Sequence, residues 1–305
     1  MTFEVLDGAA VRRRVDVRRA VDALRDRLSN DPPRPDRPMR TRVPVDHGQL
    51  LLMPDQSSRH VGVKIVSLAP QNSTIGLPTV QGSYLLMDAD TLSPVAVIDA
   101  AELTLVRTAA VTMLGVLQLR PCTAPRVVVL GAGPQAVAHA AAAEALLAPR
   151  SISILARSER STQQARGMVA ERGMGAAVVV ASATDQLSTA DVVLCCTAAH
   201  EPVLTIDDLG NDVVVAAIGS HEPGVRELPT TLMEQAFVCV ESAAVARREA
   251  GDVVIAEQEL GHPVIDAELA DLVRDAVSAP SSGRRVLKTV GEAWQDLTVA
   301  VVAVG

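Results

Sequence analysis

Lysine is nearly missing from this 305-residue chain: of 28 basic residues only Lys64 and Lys288 are lysine, and the rest are arginine. Aromatic residues are equally scarce, with Phe3, Tyr84, Phe237 and Trp294 the whole set. So few rings cannot supply a row of base-stacking platforms, and an excess of acid over base (formal net charge −8) excludes a phosphate-tracking surface for nucleic acid. The four cysteines form no CxxC pair, and the six histidines show no i,i+4 pairing, so a metal centre is not expected. Reduced cysteines suit a cytoplasmic protein. Residues 1–26 are charged throughout and lack the apolar stretch of a signal peptide. No apolar run reaches the roughly 18–20 residues of a membrane span, so no membrane partner is expected.

What the chain does have is Val, Ala, Leu and Ile, and apolar residues make up 48% of it. That is enough for a large core. The N-terminal part reads as a helix over 5–29, then a proline-rich extended stretch over 31–44. Apolar strand-like runs follow at 49–53, 61–68, 80–88 and 94–98 with no helix between them, which points to an antiparallel or mixed sheet. Residues 100–119 switch to helical spacing, with Leu103, Val106, Ala110, Met113 and Leu117 on one stripe. After Pro121 and Pro125 strands alternate with helices: strands at 126–130, 151–155, 176–181, 191–197, 213–218 and 237–240. This alternation implies a parallel sheet covered on both faces. The last segment, 284–305, reads as an arginine-rich turn and a closing helix. The fold class is therefore α/β, with a Rossmann-type dinucleotide-binding domain over 121–284, a second α+β domain over 1–120, and a closing helix over 285–305 that returns to it.

Gly131-Ala132-Gly133-Pro134-Gln135-Ala136 follows a buried strand and opens a helix, fitting G-x-G-x-x-A. Gly131 permits the tight turn, Gly133 lets the backbone approach a pyrophosphate, and Ala136 allows close helix–strand packing. Gln135 lies in the same loop. At the tip of the next strand, Ile154-Leu155-Ala156-Arg157-Ser158 carries no acid to hold a ribose 2′-hydroxyl. Arg157 and Ser158, with Arg160 as a further candidate, suit a 2′-phosphate instead, so NADP(H) is the expected cofactor, with NAD(H) second. Thr197 and Gly219 stand at strand C-terminal ends, where such sheets bind ligands.

Several further motifs occur in order: Arg37-Pro38-Met39-Arg40-Thr41, Leu52-Met53-Pro54, Gly62-Val63-Lys64, Arg107-Thr108-Ala109-Ala110, the glycine loop, Gly219-Ser220-His221-Glu222-Pro223, Arg226-Glu227-Leu228-Pro229 and Glu249-Ala250-Gly251-Asp252. With these the chain resembles the ornithine cyclodeaminase/μ-crystallin family along nearly its whole length. The resemblance implies a homodimer of two-domain subunits. It also implies that Arg40, Lys64 and Arg107 surround a substrate carboxylate and the reacting carbon; Thr108, next to Arg107 at the mouth of its helix, is a candidate contact for a cofactor phosphate. Two guanidinium groups can clamp a carboxylate, and a lysine beside two cations exchanges its proton nearer neutrality.

Two positions depart from the cyclodeaminase pattern. The aspartate that acts as acid and base there is matched here by His221, and the glutamate that takes a distal ammonium is matched by Leu51. Histidine remains a candidate base. The resemblance is closer to the μ-crystallin-like ketimine reductases, which implies an enzyme that moves a hydride between a nicotinamide cofactor and the C–N bond of a small imino or amino acid bearing an α-carboxylate. Two alternatives stay open: cyclodeamination of ornithine or a related diamino acid, and non-catalytic binding of NADPH with a small ligand.

Overall fold

A computed structural model describes residues 3–33, 40–119, 122–175, 178–181 and 186–305, the segment 178–181 by its backbone. The middle of the proline-rich stretch, Pro121 and the start of the strand expected at 176 lie outside these residues. The chain forms two compact units, residues 1–111 with 291–305, and residues 112–290.

The first unit starts with β1 (Glu4–Leu6), α1 (Gly8–Arg14) and α2 (Val17–Asn30), where one long helix is expected from sequence. Two aspartates break that helix. Asp7 accepts the Ala10 N–H, and Asp16 accepts those of Arg18 and Arg19, so each caps a new N-terminus. There follow β2 (Thr41–Val45), β3 (Gly48–Gln56), β4 (His60–Leu68), β5 (Val80–Asp88) and β6 (Pro94–Asp99). They make a six-stranded sheet in the order β1-β6-β5-β4-β3-β2, antiparallel except for the β1–β6 pair.

The period of two sorts this sheet into two faces. Leu51, Met53, Asp55, Lys64, Tyr84, Leu86, Ala96 and Ile98 point inward and are buried. Leu52, Val63, Leu85 and Val97 alternate with them and stay part-exposed. The helix α3 (Ala100–Gln118) leaves the sheet, and the division between the units falls within it, after Val111. It corrects the expectation from composition: its 19 residues are long and apolar enough to cross a membrane, with only Glu102 and Arg107 charged. Most of its surface is buried within the protein, which accounts for the apolarity without a bilayer.

The second unit holds β7 (Arg126–Leu130), α4 (Pro134–Leu147), β8 (Ser151–Leu155), α5 (Glu159–Glu171), β9 (Val178–Ala181), β10 (Val192–Cys195) and β11 (Val213–Ala217). These are followed by α6 (Thr230–Gln235), β12 (Phe237–Val240), α7 (Ala243–Glu249), α8 (Gly251–Leu260), β13 (Ala267–Glu268), α9 (Leu269–Val273) and β14 (Arg284–Lys288). Eight strands form one sheet in the order β13-β12-β14-β11-β10-β7-β8-β9, and every pair is parallel. The central strands are almost wholly Val, Leu, Ile, Ala and Cys, as burial on both faces requires.

Residues 284–288 form a central strand and not the arginine-rich turn read from sequence. Arg285 is buried, with Nη1 donating to the Leu119 carbonyl at 2.9 Å and Nη2 paired with Asp212. An arginine whose donors are satisfied can sit inside a sheet, and periodicity does not show which arginines will be. The second unit therefore continues to Val290. The closing helix α10 (Ala293–Val304) belongs to the first unit, where it packs on α1, α2 and the inner face of β3, β4 and β5.

Candidate active site

In the first unit the pleat of β4 turns Lys64 inward beneath α10, opposite Met53 on β3 and Tyr84 on β5. Its ammonium lies 2.8 Å from Asp296 Oδ2 and 3.0 Å from Oδ1, and donates to Thr104 Oγ1 at 3.3 Å. Arg107, one helical turn after Thr104 on α3, reaches the same carboxylate: its Nε donates to Asp296 Oδ1 at 3.1 Å, and its Nη1 donates to Gln295 Oε1 at 2.8 Å. Arg40, just before β2, donates from Nη2 to the Gly291 carbonyl at 3.1 Å. Gly291 has φ +80°, and a β-carbon there would come within 2.5 Å of Arg107 Nη1. Both the backbone angle and the space beside the guanidinium require glycine.

Burial pushes the Lys64 ammonium down to about 8, with Asp296 opposing the fall and the Arg107 and Arg40 guanidiniums adding to it. The structure thus brings together three predicted residues, Arg40, Lys64 and Arg107. It adds Asp296, Gln295 and Gly291, which sequence reading missed. A charged residue within the apolar run of the closing helix was the available signal for Asp296. Leu51, on the inner face of β3, is buried. The Thr108 hydroxyl donates to the Thr104 carbonyl at 2.6 Å.

In the second unit the loop from β7 to α4 has the geometry of a pyrophosphate cradle. Gly131 has φ +111°, and a β-carbon on it would strike the Cys196 carbonyl at 2.4 Å. Gly133 is the N-cap of α4 with open space where a side chain would lie, and no side chain caps the helix. Pro134 occupies the first helical turn and Ala136 is buried against the sheet. The Gln135 Oε1 is buried among the described residues without a hydrogen-bond partner. A helix N-terminus with uncapped N–H groups and an approach that only glycine leaves open fits a dinucleotide. Arg157 and Ser158 stand exposed after β8. Ser158 caps α5 in a reciprocal pair with Ser161, and Arg157 and Arg160 are the exposed cations at that tip.

Thr197 and Gly219 follow the ends of β10 and β11, and a single carboxylate joins them. Glu227 accepts the Thr197 N–H (2.8 Å) and hydroxyl (2.7 Å) on Oε1, and the Gly219 N–H (2.6 Å) on Oε2. Behind it lies the second lysine. Lys288 donates to the Ser220 carbonyl at 2.7 Å and pairs with Asp252 Oδ2 at 3.0 Å, both partners being fully buried. The other Asp252 oxygen accepts the N–H groups of Glu227 and Leu228. Burial alone would raise the Asp252 carboxyl, but Lys288 and these donors outweigh it and hold it low; Glu227 is pushed up by its burial. His221 sits on the same loop, exposed, with Nδ1 3.3 Å from the Gly219 carbonyl. Sequence reading left Lys288 without a role; its partner Asp252 is 36 positions away and only folding joins them.

A doubly wound parallel sheet with a glycine loop, combined with a unit that buries a lysine between two arginines and a carboxylate, defines a dinucleotide-dependent enzyme class that acts on small carboxylates. The sequence matches the profile of the ornithine cyclodeaminase/mu-crystallin family over residues 4–303, and the chain belongs to that family. It is 30% identical over 272 residues to the Delta(1)-pyrroline-2-carboxylate reductase of Bacillus cereus, covering 86% of this chain and 83% of that one. It is 31% identical over 267 residues to the ketimine reductase mu-crystallin of Mus musculus, covering 86% and 82%. Among solved structures, the Delta(1)-pyrroline-2-carboxylate reductase of Thermococcus litoralis, with NADH and L-proline, superposes with a TM-score of 0.86 at 22% identity over 99% of this chain and 96% of that one.

Proposed function

We propose that the protein is an NAD(P)H-dependent reductase of a small imine bearing an α-carboxylate, such as a cyclic imine or a ketimine formed from a keto acid and an amine. The observation that carries this is the buried Lys64, flanked by Arg107 and Arg40 and held at the threshold of deprotonation. Arg40 and Arg107 take the carboxylate and orient the neighbouring carbon. When bound at the glycine loop, the nicotinamide supplies the hydride. Lys64 supplies the proton that the nitrogen gains. The names of the bacterial and mouse relatives support the same chemistry. Leu51 favours reduction over cyclodeamination of a diamino acid, since an apolar buried side chain offers no acceptor for a distal ammonium.

NADP(H) preference is part of the proposal and rests on Arg157 at a β8 tip without an acid. His221 is retained as a candidate acid–base residue on the loop after β11. A homodimer is proposed from the part-exposed apolar face of the first unit's sheet, where Leu52, Val63, Leu85 and Val97 share one side. A cytoplasmic location, where NADPH is plentiful and the four free cysteines stay reduced, completes it.

The test follows absorbance at 340 nm with both nicotinamide cofactors against cyclic imines, keto acids with amines, and ornithine, while ammonia is measured. NADPH oxidation with an imino acid is expected. Ammonia release from ornithine with no net change of cofactor would replace the reading by a cyclodeaminase. Tight NADPH binding with no oxidation by any compound would replace it by a binding protein.

A further inference from the structure

We propose that Asp296 is the positioning residue of this site, holding Lys64 in its protonated form and fixing the Arg107 guanidinium for the reduction. The inference rests on the imine-reductase reading of the site. Asp296 lies fully buried between Gln295 and Leu297, on the face of an apolar helix. A carboxylate in that position is costly unless it is paired. Its Oδ1 accepts from both Lys64 and Arg107, and its Oδ2 lies 2.8 Å from the Lys64 ammonium as an ion pair, with no hydrogen bond of its own among the described residues.

The charges facing Lys64 come from every side of the pocket. Arg107 approaches from α3 and Arg40 from the segment before β2, and both oppose its positive charge. Thr104 on α3 offers a neutral hydroxyl, and β5 presents the buried, un-ionised Tyr84 in register. Asp55 lies on the inner face of β3 in the next cross-strand row, beside Arg27 of α2 at 3.6 Å. Asp296 is therefore the carboxylate in contact with the ammonium, and it offsets the two guanidiniums. Arg107 is shaped by the same contact. Its Nε goes to Asp296 and Nη1 to Gln295, while Gly291 forms the wall beside its nitrogens. Among the described residues Nη2 has no hydrogen-bond partner, and it is left to a substrate carboxylate.

In the reduction, a hydride adds to the imine carbon and the C=N π pair moves to nitrogen. The nitrogen takes a proton from Lys64 Nζ, and the neutral amine left behind regains a proton from solvent. Asp296 is unchanged. It keeps the proton on Lys64 until the nitrogen needs it.

The two-lysine composition makes the test direct, because protein grown with 13C-lysine gives two side-chain signals and Lys64→Met assigns them. In the intact protein the Lys64 signal is expected to titrate near pH 8. In Asp296→Asn it is expected to titrate about 1 to 2 pH units lower. The alkaline limb of the kcat/KM profile for NADPH-dependent imine reduction should move down with it. Should Asp296→Asn fail to fold, the double variant Asp296→Asn/Arg40→Gln keeps the net charge of the cluster and should still titrate below the parent by NMR. An unchanged Lys64 midpoint in the folded variant overturns the proposal. A lowered midpoint with an unmoved kcat/KM profile overturns the role in proton supply. Failure of the unsubstituted protein to reduce any imine refutes the reductase reading instead, whatever the NMR shows.

Discussion

Two lysines persist where arginine otherwise supplies the positive charge, and under the proposed function Lys64 has a chemical reason to be one of them. Arginine stays protonated at any accessible pH, so it cannot exchange a proton at a reacting nitrogen. Lys64→Ala is expected to abolish imine reduction while NADPH binding, followed by cofactor fluorescence, stays within about twofold; retained turnover would refute the role of Lys64. The replacement Lys64→Arg should be as inactive as Lys64→Ala. Lys288 has another reason to be lysine: one compact ammonium reaches both the Ser220 carbonyl and Asp252 inside a closed core. Lys288→Met leaves Asp252 buried without its cation, and urea unfolding should show a loss of about 3–5 kcal/mol. A loss below about 1 kcal/mol would mean that the backbone donors on Asp252 suffice by themselves.

At the scale of elements, the C-terminal ends of the parallel strands gather the residues proposed to hold the cofactor. The turn after β7 provides the glycine cradle, the tip of β8 provides Arg157, and Glu227 ties the loops after β10 and β11 to each other. Ser158 caps α5, so the proposed preference for NADP(H) is tested at Arg157. Arg157→Ala should lower kcat/KM for NADPH about 10- to 100-fold, the worth of a charge-assisted hydrogen bond, and leave that for NADH nearly unchanged. Equal losses with both cofactors would place Arg157 elsewhere than at a 2′-phosphate. The glycine loop was legible in the sequence because the phosphate chemistry dictates the spacing. The Glu227 and Asp252 links were not, because each joins segments that only the parallel sheet brings side by side.

For the whole molecule, the first unit's sheet has one face filled by α1, α2 and α10, and the other is apolar and part-exposed. A second copy of the same face would cover it by two-fold symmetry. If this face carries the proposed homodimer, Val63→Glu combined with Leu85→Glu should shift the protein from dimer to monomer in light scattering with the second unit's fold intact. A variant that remains dimeric would move the interface to another surface.

The sequence by itself determined the fold class, the alternation of strand and helix from residue 126, the glycine loop, and Arg40, Lys64 and Arg107 as a set. These are local patterns, or family motifs whose residues are each readable in place. Tertiary structure decided the rest. It split the N-terminal helix at Asp7 and Asp16, where backbone caps outweigh helical spacing, and made residues 284–288 a central strand because Arg285 finds buried partners. It also gave each lysine its aspartate. Asp296 lies 232 residues from Lys64, and a pairing between charges that far apart exists only once the inner face of the sheet and the closing helix are packed together.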